Sequence, residues 1–246
     1  MASCSYDATV IIHKEAPANT WTKIYQHTFH QASVNSISWA PHEYGLILAC
    51  ASSDGFVSIL EFKEEQWVSS HFQNDALGCN AVSWAPYSAL GSLPEDGDKD
   101  HAVRRLVTAS CDNTVRIWRN AGASAAGTAT SSSGWVAEEK DAAAVAASGH
   151  TDWVRDVAWA PNTAMPYNII ASCSEDETVL IWKQKQKDAP WTCQTMTAEK
   201  FGAPVWRVSW SVTGNVLAVA TGDQQVSLWK QSVDETWVKV SALTEN

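Results

Sequence analysis

Ala171-Ser172-Cys173-Ser174-Glu175-Asp176, followed by the β-prone segment Thr178 to Trp182, is a pattern that the 246-residue chain repeats. Small residues lead into an aspartate, and the aspartate leads into an apolar segment of the kind enriched in strands. The pattern occurs five times, and its aspartates are Asp7, Asp54, Asp112, Asp176 and Asp223. An internal repeat of this kind indicates a fold built from copies of one small unit.

Tryptophans mark the remaining strands of each unit. A strand-like segment ending in tryptophan precedes four of the aspartates, at Trp39, Trp84, Trp159 and Trp210. A second tryptophan follows every aspartate, at Trp21, Trp67, Trp135, Trp191 and Trp237. Each unit therefore reads as two strands, an aspartate turn and two more strands. We predict an all-β, open β-propeller of about four complete four-stranded blades plus a partial N-terminal blade.

The unit boundaries predict a single domain over residues 1–246. The partial blade covers 1–25, and the complete blades cover 31–73, 77–143, 150–198 and 203–242. Two stretches in the second complete unit, 92–101 and 121–134, are Asp-rich or made of Ala, Gly, Ser and Thr, which predicts loop insertions. Met1 stands directly before a second-strand motif, so we expect closing strands to come from further chain or from a partner.

The composition narrows the function classes. Forty-five per cent of the residues are hydrophobic and 18% are charged, as in a globular protein. The net charge of −10 argues against a direct nucleic-acid partner. Since no apolar run reaches the roughly 18 residues of a membrane span, any membrane association is expected to be peripheral. The six cysteines contain no Cys-x-x-Cys pair and predict a reduced, cytoplasmic protein.

One constellation could carry chemistry: His150, Ser172 and Asp176, with Trp182 nearby in sequence. Serine, histidine and aspartate together are compatible with a hydrolase. The alternative is a structural hydrogen-bond network, and we favour it because His30 stands in the same relation to Trp39. No Gly-x-Ser-x-Gly elbow supports catalysis. We predict no catalytic residues, no cofactor and no metal site.

Other units carry different residues at the positions of His150 and Trp182, which we call the histidine slot and the tryptophan slot. Asp75 and Phe201 occupy the histidine slot, whereas His13 and Leu60 occupy the tryptophan slot. These replacements predict blades that rely on packing more than on buried polar bonds.

Four segments resemble WD-repeat proteins, and specifically the Sec-thirteen family. They are 34–45, 51–63, 152–161 and 205–218. The resemblance implies a six-bladed propeller left open, which an α-solenoid partner closes by donating a seventh blade. It implies a non-enzymatic scaffold in the outer cage of the COPII coat, on vesicles leaving the endoplasmic reticulum, and in the Y-shaped complex of the nuclear pore. The implied partners are a Sec-thirty-one-type coat protein and a scaffold nucleoporin.

The resemblance also points to a contact surface on the last blade. Trp210, Val226, Leu228 and Trp229 are expected to face the donated blade. Two other functions stay open: a Seh-one-type nucleoporin, and a substrate receptor of a ubiquitin ligase or histone-tail reader that binds peptides on the top face.

Overall fold

The repeated aspartate forms a tight turn between two strands. In this computed structural model, which describes residues 1–93, 102–120, 134–138, 149–162 and 166–244, a backbone N–H two residues later donates to the aspartate Oδ1. This bond is 2.9–3.1 Å long at Asp7, Asp54, Asp112 and Asp176. The residue between has a positive φ, and at position 55 it is a glycine. A Cβ there would lie 2.1 Å from the carbonyl oxygen of Asp75, so only glycine fits.

These turns connect the strands of five antiparallel sheets. The N-terminal sheet has three strands, β1 (Ala2–Cys4), β2 (Val10–Ala16) and β3 (Thr20–His27). The first complete blade has β4 (Val34–Trp39), β5 (Ile47–Ser52), β6 (Phe56–Lys63) and β7 (Gln66–Gln73). The second has β8 (Cys79–Trp84), β9 (Arg104–Ser110), β10 (Val115–Asn120) and β11 (Trp135–Ala137). The third has β12 (Val154–Trp159), β13 (Asn168–Ser174), β14 (Val179–Gln184) and β15 (Thr192–Thr195). The last has β16 (Val205–Trp210), β17 (Val216–Thr221), β18 (Gln225–Gln231) and β19 (Trp237–Thr244). Two short 3-10 turns lie at Pro17–Asn19 and His42–Tyr44.

The hydrophobic cores lie between neighbouring sheets. Successive residues of a strand point to opposite faces, so Ile170 packs into the core shared with the second blade while Ile169 and Ala171 pack into the core shared with the last. All of β13 is consequently buried. Four such cores separate the five sheets and hold them in an arc.

The first strand of every complete blade carries the same irregularity. Its register shifts around one residue, and those residues are Asn35, Asn80, Arg155 and Trp206. A bulge of this kind re-aims the side chain of the extra residue. The first strands of successive blades contact one another, so these side chains lie at the junctions between blades.

The expected fold class, an open all-β propeller with four complete blades and one partial blade, is confirmed. The sheets span 34–73, 79–137, 154–195 and 205–244, and the N-terminal sheet spans 2–27. The predicted insertions 92–101 and 121–134 lie outside the described residues, apart from Ser92, Leu93 and Gly134.

Candidate functional site

The serine, histidine and aspartate of the third blade do meet, but deep inside the fold. His150 Nε2 lies 2.9 Å from Ser172 Oγ, and His150 Nδ1 lies 3.1 Å from Asp176 Oδ2. The Trp182 indole N–H donates to Ser172 Oγ at 2.9 Å. Ser172 has no exposed surface, so its hydroxyl is inaccessible to a substrate. The arrangement has the connectivity of a catalytic triad and the burial of a structural network.

The direction of each bond in this network can be assigned. A carboxylate only accepts, so His150 donates from Nδ1 to Asp176, and a neutral imidazole that donates from Nδ1 accepts at Nε2. Ser172 must then donate to His150, and its lone pair accepts the Trp182 N–H. Burial alone would raise the pKa of Asp176, but hydrogen bonds from His150 and Thr178 hold it far below the ordinary value. The network therefore ends on an ionised aspartate.

The first blade builds the same network from different residues. His30 bonds Asp54 at 3.0 Å and Ser58 at 2.8 Å, and His27 Nε2 lies 3.1 Å from Ser58. By the same assignment, His27 donates to the serine as Trp182 does in the third blade. Ser58 pairs across the ladder with Cys50, which occupies the serine slot of the repeat. The repeat pattern of the sequence predicts neither His27 nor Ser58 in these roles.

The second blade uses an amide instead of an imidazole. Trp118 donates to Thr108 at 3.0 Å, and Thr108 donates to Asn74 Oδ1 at 2.6 Å. Asn74 Nδ2 reaches Asp75 at 2.7 Å. Asp75, assigned by sequence to the histidine slot, instead accepts the backbone N–H groups of Leu77 and Gly78.

The expectation that these blades depend mainly on packing is therefore wrong for the first two. It fits the last blade, where the Trp229 indole donates to Ser227 at 2.8 Å and Phe201 packs edge-on against Trp229 at 5.7 Å between ring centroids.

The paired histidines of the first blade predict a loss of stability in acid. Burial lowers the pKa of His27 to about 4, against about 6.5 in the unfolded chain. Between these values the unfolded state binds more protons, so stability is complete above about pH 6.5 and falls as the pH drops toward 4. Within this window, the thermal unfolding midpoint of the wild type should fall more steeply with decreasing pH than that of His27→Asn. His42→Asn, at a 93% exposed histidine, should retain the wild-type pH profile. A His27→Asn profile as steep as the wild type would contradict this assignment.

The last blade has one covered and one uncovered face. Leu217 and Val219 of β17 are fully buried against the third blade, whereas Val216, Ala218 and Ala220 are only half-buried. In β18, Ser227 is buried, whereas Val226 and Leu228 are half-buried. In β13 and β14 of the third blade every residue is buried. The side of the last blade that points away from the third blade is therefore a sheet face without a neighbour among the described residues.

The predicted contact surface is divided between the two faces. Val226 pairs with Ala220 and Leu228 with Ala218, which places both on the uncovered face. Trp229 pairs with Leu217, and Trp210 also pairs with Leu217, so both tryptophans lie on the covered face and pack against the core shared with the third blade. The structure thus does not bring the four residues to one surface. Period-two alternation in β18 was the signal that separates Leu228 from Trp229.

A second uncovered region lies at the N-terminal sheet. Strand β1 pairs only with β2 in the described chain, and Trp39 beside it is 37% exposed, against 6% for Trp84 and 5% for Trp159. A cleft of about 930 Å³ opens here. Its aromatic lining consists of Trp21, Tyr25, Trp39, Phe62 and Trp67.

At other junctions the segment that follows a first strand covers the next tryptophan. Ala40 packs in the same cluster as Trp84, and Ala85 in the same cluster as Trp159. The Trp84 indole also donates to the Ser38 carbonyl at 2.9 Å. Among the described residues, Trp39 has neither a packed alanine of a preceding blade nor a carbonyl that accepts its indole N–H.

Within the described ranges, no group of three or more His, Cys, Asp or Glu side chains is arranged to hold a metal ion.

No helix in the described part of the chain has the length and apolar character that crossing a membrane would require.

Comparison with known proteins agrees with this architecture. The family model for the WD domain, G-beta repeat, matches residues 21–60, 66–119, 145–183 and 192–230. The first, second and fourth matches begin in the outer strand of one sheet and end in the third strand of the next. Such repeats tie neighbouring sheets together through the chain itself.

Several relatives carry the SEC13 name. "Protein transport protein SEC13" of Mycosarcoma maydis is 41% identical, in a match that covers 78% of this chain and 58% of that protein. "Protein SEC13 homolog" of Drosophila melanogaster is 41% identical over 78% of this chain and 51% of its own length. "Protein transport protein sec13" of Aspergillus clavatus is 41% identical over 80% and 64%. The chain thus spans between about half and two thirds of the length of these curated relatives. On its repeats, its blades and these identities, the chain belongs to the WD-repeat proteins of the Sec-thirteen family.

Proposed function

We propose that this chain is a non-enzymatic scaffold of protein transport, part of the outer cage of the COPII coat, which binds an α-solenoid partner that donates a blade. The observation that carries the proposal is the uncovered face of the last blade. A sheet that is buried on one face and apolar on the other is stable in water only if a further layer covers it. Relatives named as protein transport proteins support the same role.

The uncovered face has the chemistry of an inter-blade contact. Val216, Ala218, Val226 and Leu228 supply small and branched apolar side chains that are half-buried already. The covered face of the same sheet uses similar residues, Leu217 and Val219, to pack on the third blade. A donated blade would therefore meet a surface like those that the blades of this chain offer one another.

The N-terminal side offers complementary features. The free edge of β1 can pair with an added strand, and backbone hydrogen bonds would supply affinity without demanding a particular sequence. A small residue after that strand would cover Trp39, as Ala40 and Ala85 cover Trp84 and Trp159. Together, the two regions could hold opposite sides of inserted strands.

The proposal extends to two places in the cell. Through the coat, the chain would associate peripherally with the cytoplasmic side of the endoplasmic reticulum and with COPII vesicles. Through a scaffold nucleoporin that donates a similar blade, it would join the nuclear pore complex. The burial of Ser172, His150 and Asp176 supports a non-enzymatic role, because it withholds the one nucleophile–base pair that the sequence suggested.

Capture of a donated blade tests the proposal. We expect the wild-type chain, co-expressed with the blade-forming segment of a Sec-thirty-one-type coat protein from the same genome, to co-purify with that segment at equal stoichiometry. Leu228→Asp should abolish capture, because it buries an unpaired carboxylate in the contact. Val68→Asp, at a 49% exposed valine on the outer strand of the first blade, is the control and should bind normally. Equal capture by wild type and Leu228→Asp would count against this face. No capture by the wild type would overturn the proposal.

A further inference from the structure

Neighbouring blades join through the bulged residue of each first strand. Asn35 donates from Nδ2 to the Cys79 carbonyl of the following blade at 3.0 Å. Asn80 donates to the Val154 carbonyl of the next blade at 2.9 Å. Arg155 places its guanidinium 4.6 Å from the centroid of Trp206 in the last blade. In each junction this side chain reaches forward, toward the blade that follows.

Residues further along the same strand present oxygen atoms to the following blade. The backbone N–H of Val82 donates to Ser36 Oγ at 3.4 Å, and that of Val208 donates to Asp156 Oδ2 at 3.1 Å. Ser36 and Asp156 both stand one residue after the bulge. In the second blade that position is Ala81, and Ser83 two residues later accepts the N–H of Trp159 at 3.0 Å instead. At all three junctions between complete blades, a side-chain oxygen of the earlier blade accepts a backbone N–H of the later blade.

The last blade keeps a serine, Ser209, at the position of Ser83, but it carries a donor at the position after the bulge. The residue after its bulge is Arg207, which carries five N–H donors and no acceptor. Its side chain is 67% exposed, and its nearest described charge partner is Asp156, with 3.9 Å between Nη1 and Oδ1. Asp156 is already occupied, because its two oxygens accept the N–H groups of Val157 and Val208. Arg207 therefore keeps most of its hydrogen-bonding capacity free.

Arg207 also lies on the uncovered side of the last blade, because it pairs across the ladder with the half-buried Ala220. Strands inserted between this face and the N-terminal sheet would meet the guanidinium.

We propose that the first strand of the donated blade carries a carboxylate side chain opposite Arg207, so that an ion pair forms at the position where Ser36 and Asp156 accept a backbone N–H in other junctions. The inference rests on the proposed function and identifies the chemistry by which the last blade selects its partner. Ser209, two residues further along β16, occupies the position of Ser83 and would accept a backbone N–H of the donated strand. The donated strand thus contributes one acidic side chain to Arg207 and one backbone N–H to Ser209.

The arginine at this position also supplies specificity. A strand with a lysine or arginine at this position would place like charges together and be rejected, and one with a serine would leave the guanidinium poorly paired. The blades of this chain carry Asn35, Asn80 and Arg155 at the bulge and Ser36, Ala81 and Asp156 after it. Of these, only the first strand of the third blade has an acid at the position after the bulge.

The test measures binding of the blade-forming segment of a Sec-thirty-one-type coat protein by isothermal titration at 50 and 300 mM salt. Arg207→Glu should raise Kd at least tenfold at low salt, whereas Arg207→Lys should stay within about threefold of the wild type. Wild-type affinity should fall with salt, and Arg207→Ala should lose most of that dependence. Arg119→Glu, the same charge change at an exposed arginine of the second blade, should bind as the wild type does.

A charge exchange completes the test. Changing each acidic residue of the donated first strand to lysine, one at a time, should identify one position that weakens the wild type and is rescued by Arg207→Glu. Because Arg207→Glu adds a negative charge beside Asp156, the unfolding midpoint of each variant is measured first. Recovery of binding by Arg207→Glu with the lysine-substituted strand would also show that this variant is folded. Wild-type binding that neither Arg207→Glu nor Arg207→Ala changes would overturn this inference and leave the proposed function intact. No binding by the wild type would overturn both.

Discussion

Replacing Arg105 by alanine is expected to lower the free energy of unfolding by about 3–5 kcal/mol, because it strands a buried carboxylate. Arg105 on β9 makes two parallel bonds of 2.7 Å to Glu138, and the two side chains are only 5% and 15% exposed. Its guanidinium also donates to the Leu90 carbonyl at 2.8 Å and lies 5.2 Å from the ring centroid of Trp159 in the third blade. One side chain thus joins the second blade to the third.

The remaining contacts of Arg105 explain why lysine is a poor substitute. Gln184 of the third blade accepts from the guanidinium at 3.3 Å, and Asn168 donates to the same glutamine at 2.8 Å. Lysine lacks the planar fork that serves Glu138 and Gln184 together and stacks on Trp159. Arg105→Lys should therefore recover only part of the loss.

Urea unfolding followed by tryptophan fluorescence measures these variants. Arg119→Ala, an exposed arginine on the neighbouring strand, should change stability by no more than about 0.5 kcal/mol. Arg105→Met combined with Glu138→Leu should regain most of the stability lost in Arg105→Ala, since an apolar pair leaves no unpaired charge. Equal stability of the alanine variants at 105 and 119 would refute the stabilising role of Arg105 between the second and third blades.

How far the sequence predicted the structure depends on whether a residue acts within its own repeat. The aspartate turn is local, since the bond from residue i+2 to Asp176 involves three consecutive residues, and it was readable at once. The position of the buried hydroxyl, Ser172 in the third blade, is not fixed by neighbouring residues in this way. In the first and last blades the hydroxyl has moved across the ladder, to Ser58 opposite Cys50 and to Ser227 opposite Val219. Only the strand register reveals that these positions are equivalent.

His27 was further beyond reach, because it comes from a neighbouring sheet. It lies at the end of β3, opposite Val10, yet its imidazole serves Ser58 of the first blade. Repeat alignment compares residues at equal positions and cannot find a donor supplied from outside the unit. The division of the predicted contact surface is different, because it was visible in the sequence. Alternation along β18 places Val226 and Leu228 on one face and Trp229 on the other.

Removing the Trp182 side chain is expected to have the second large effect on stability. Trp182 is 1% exposed, packs into the core between the second and third blades, and donates to Ser172. Trp182→Ala should lower the free energy of unfolding by about 3–5 kcal/mol through the cavity that it leaves. Trp182→Phe retains most of the packing and loses one hydrogen bond, so it should cost about 1 kcal/mol.

A double-mutant cycle separates packing from the hydrogen-bonded network. If Trp182, Ser172, His150 and Asp176 act as one unit, Trp182→Phe and His150→Ala should be non-additive by about 0.5–3 kcal/mol. Trp229→Phe in the last blade provides the matched control. Its indole bonds Ser227, but Phe201 stands where a histidine would continue the network. Trp229→Phe and Phe201→Ala share only a ring contact, so their non-additivity should be smaller than that of Trp182 with His150. Equal coupling in the two blades would mean that ring packing, and not the chain of donors ending on Asp176, links the tryptophan to the turn.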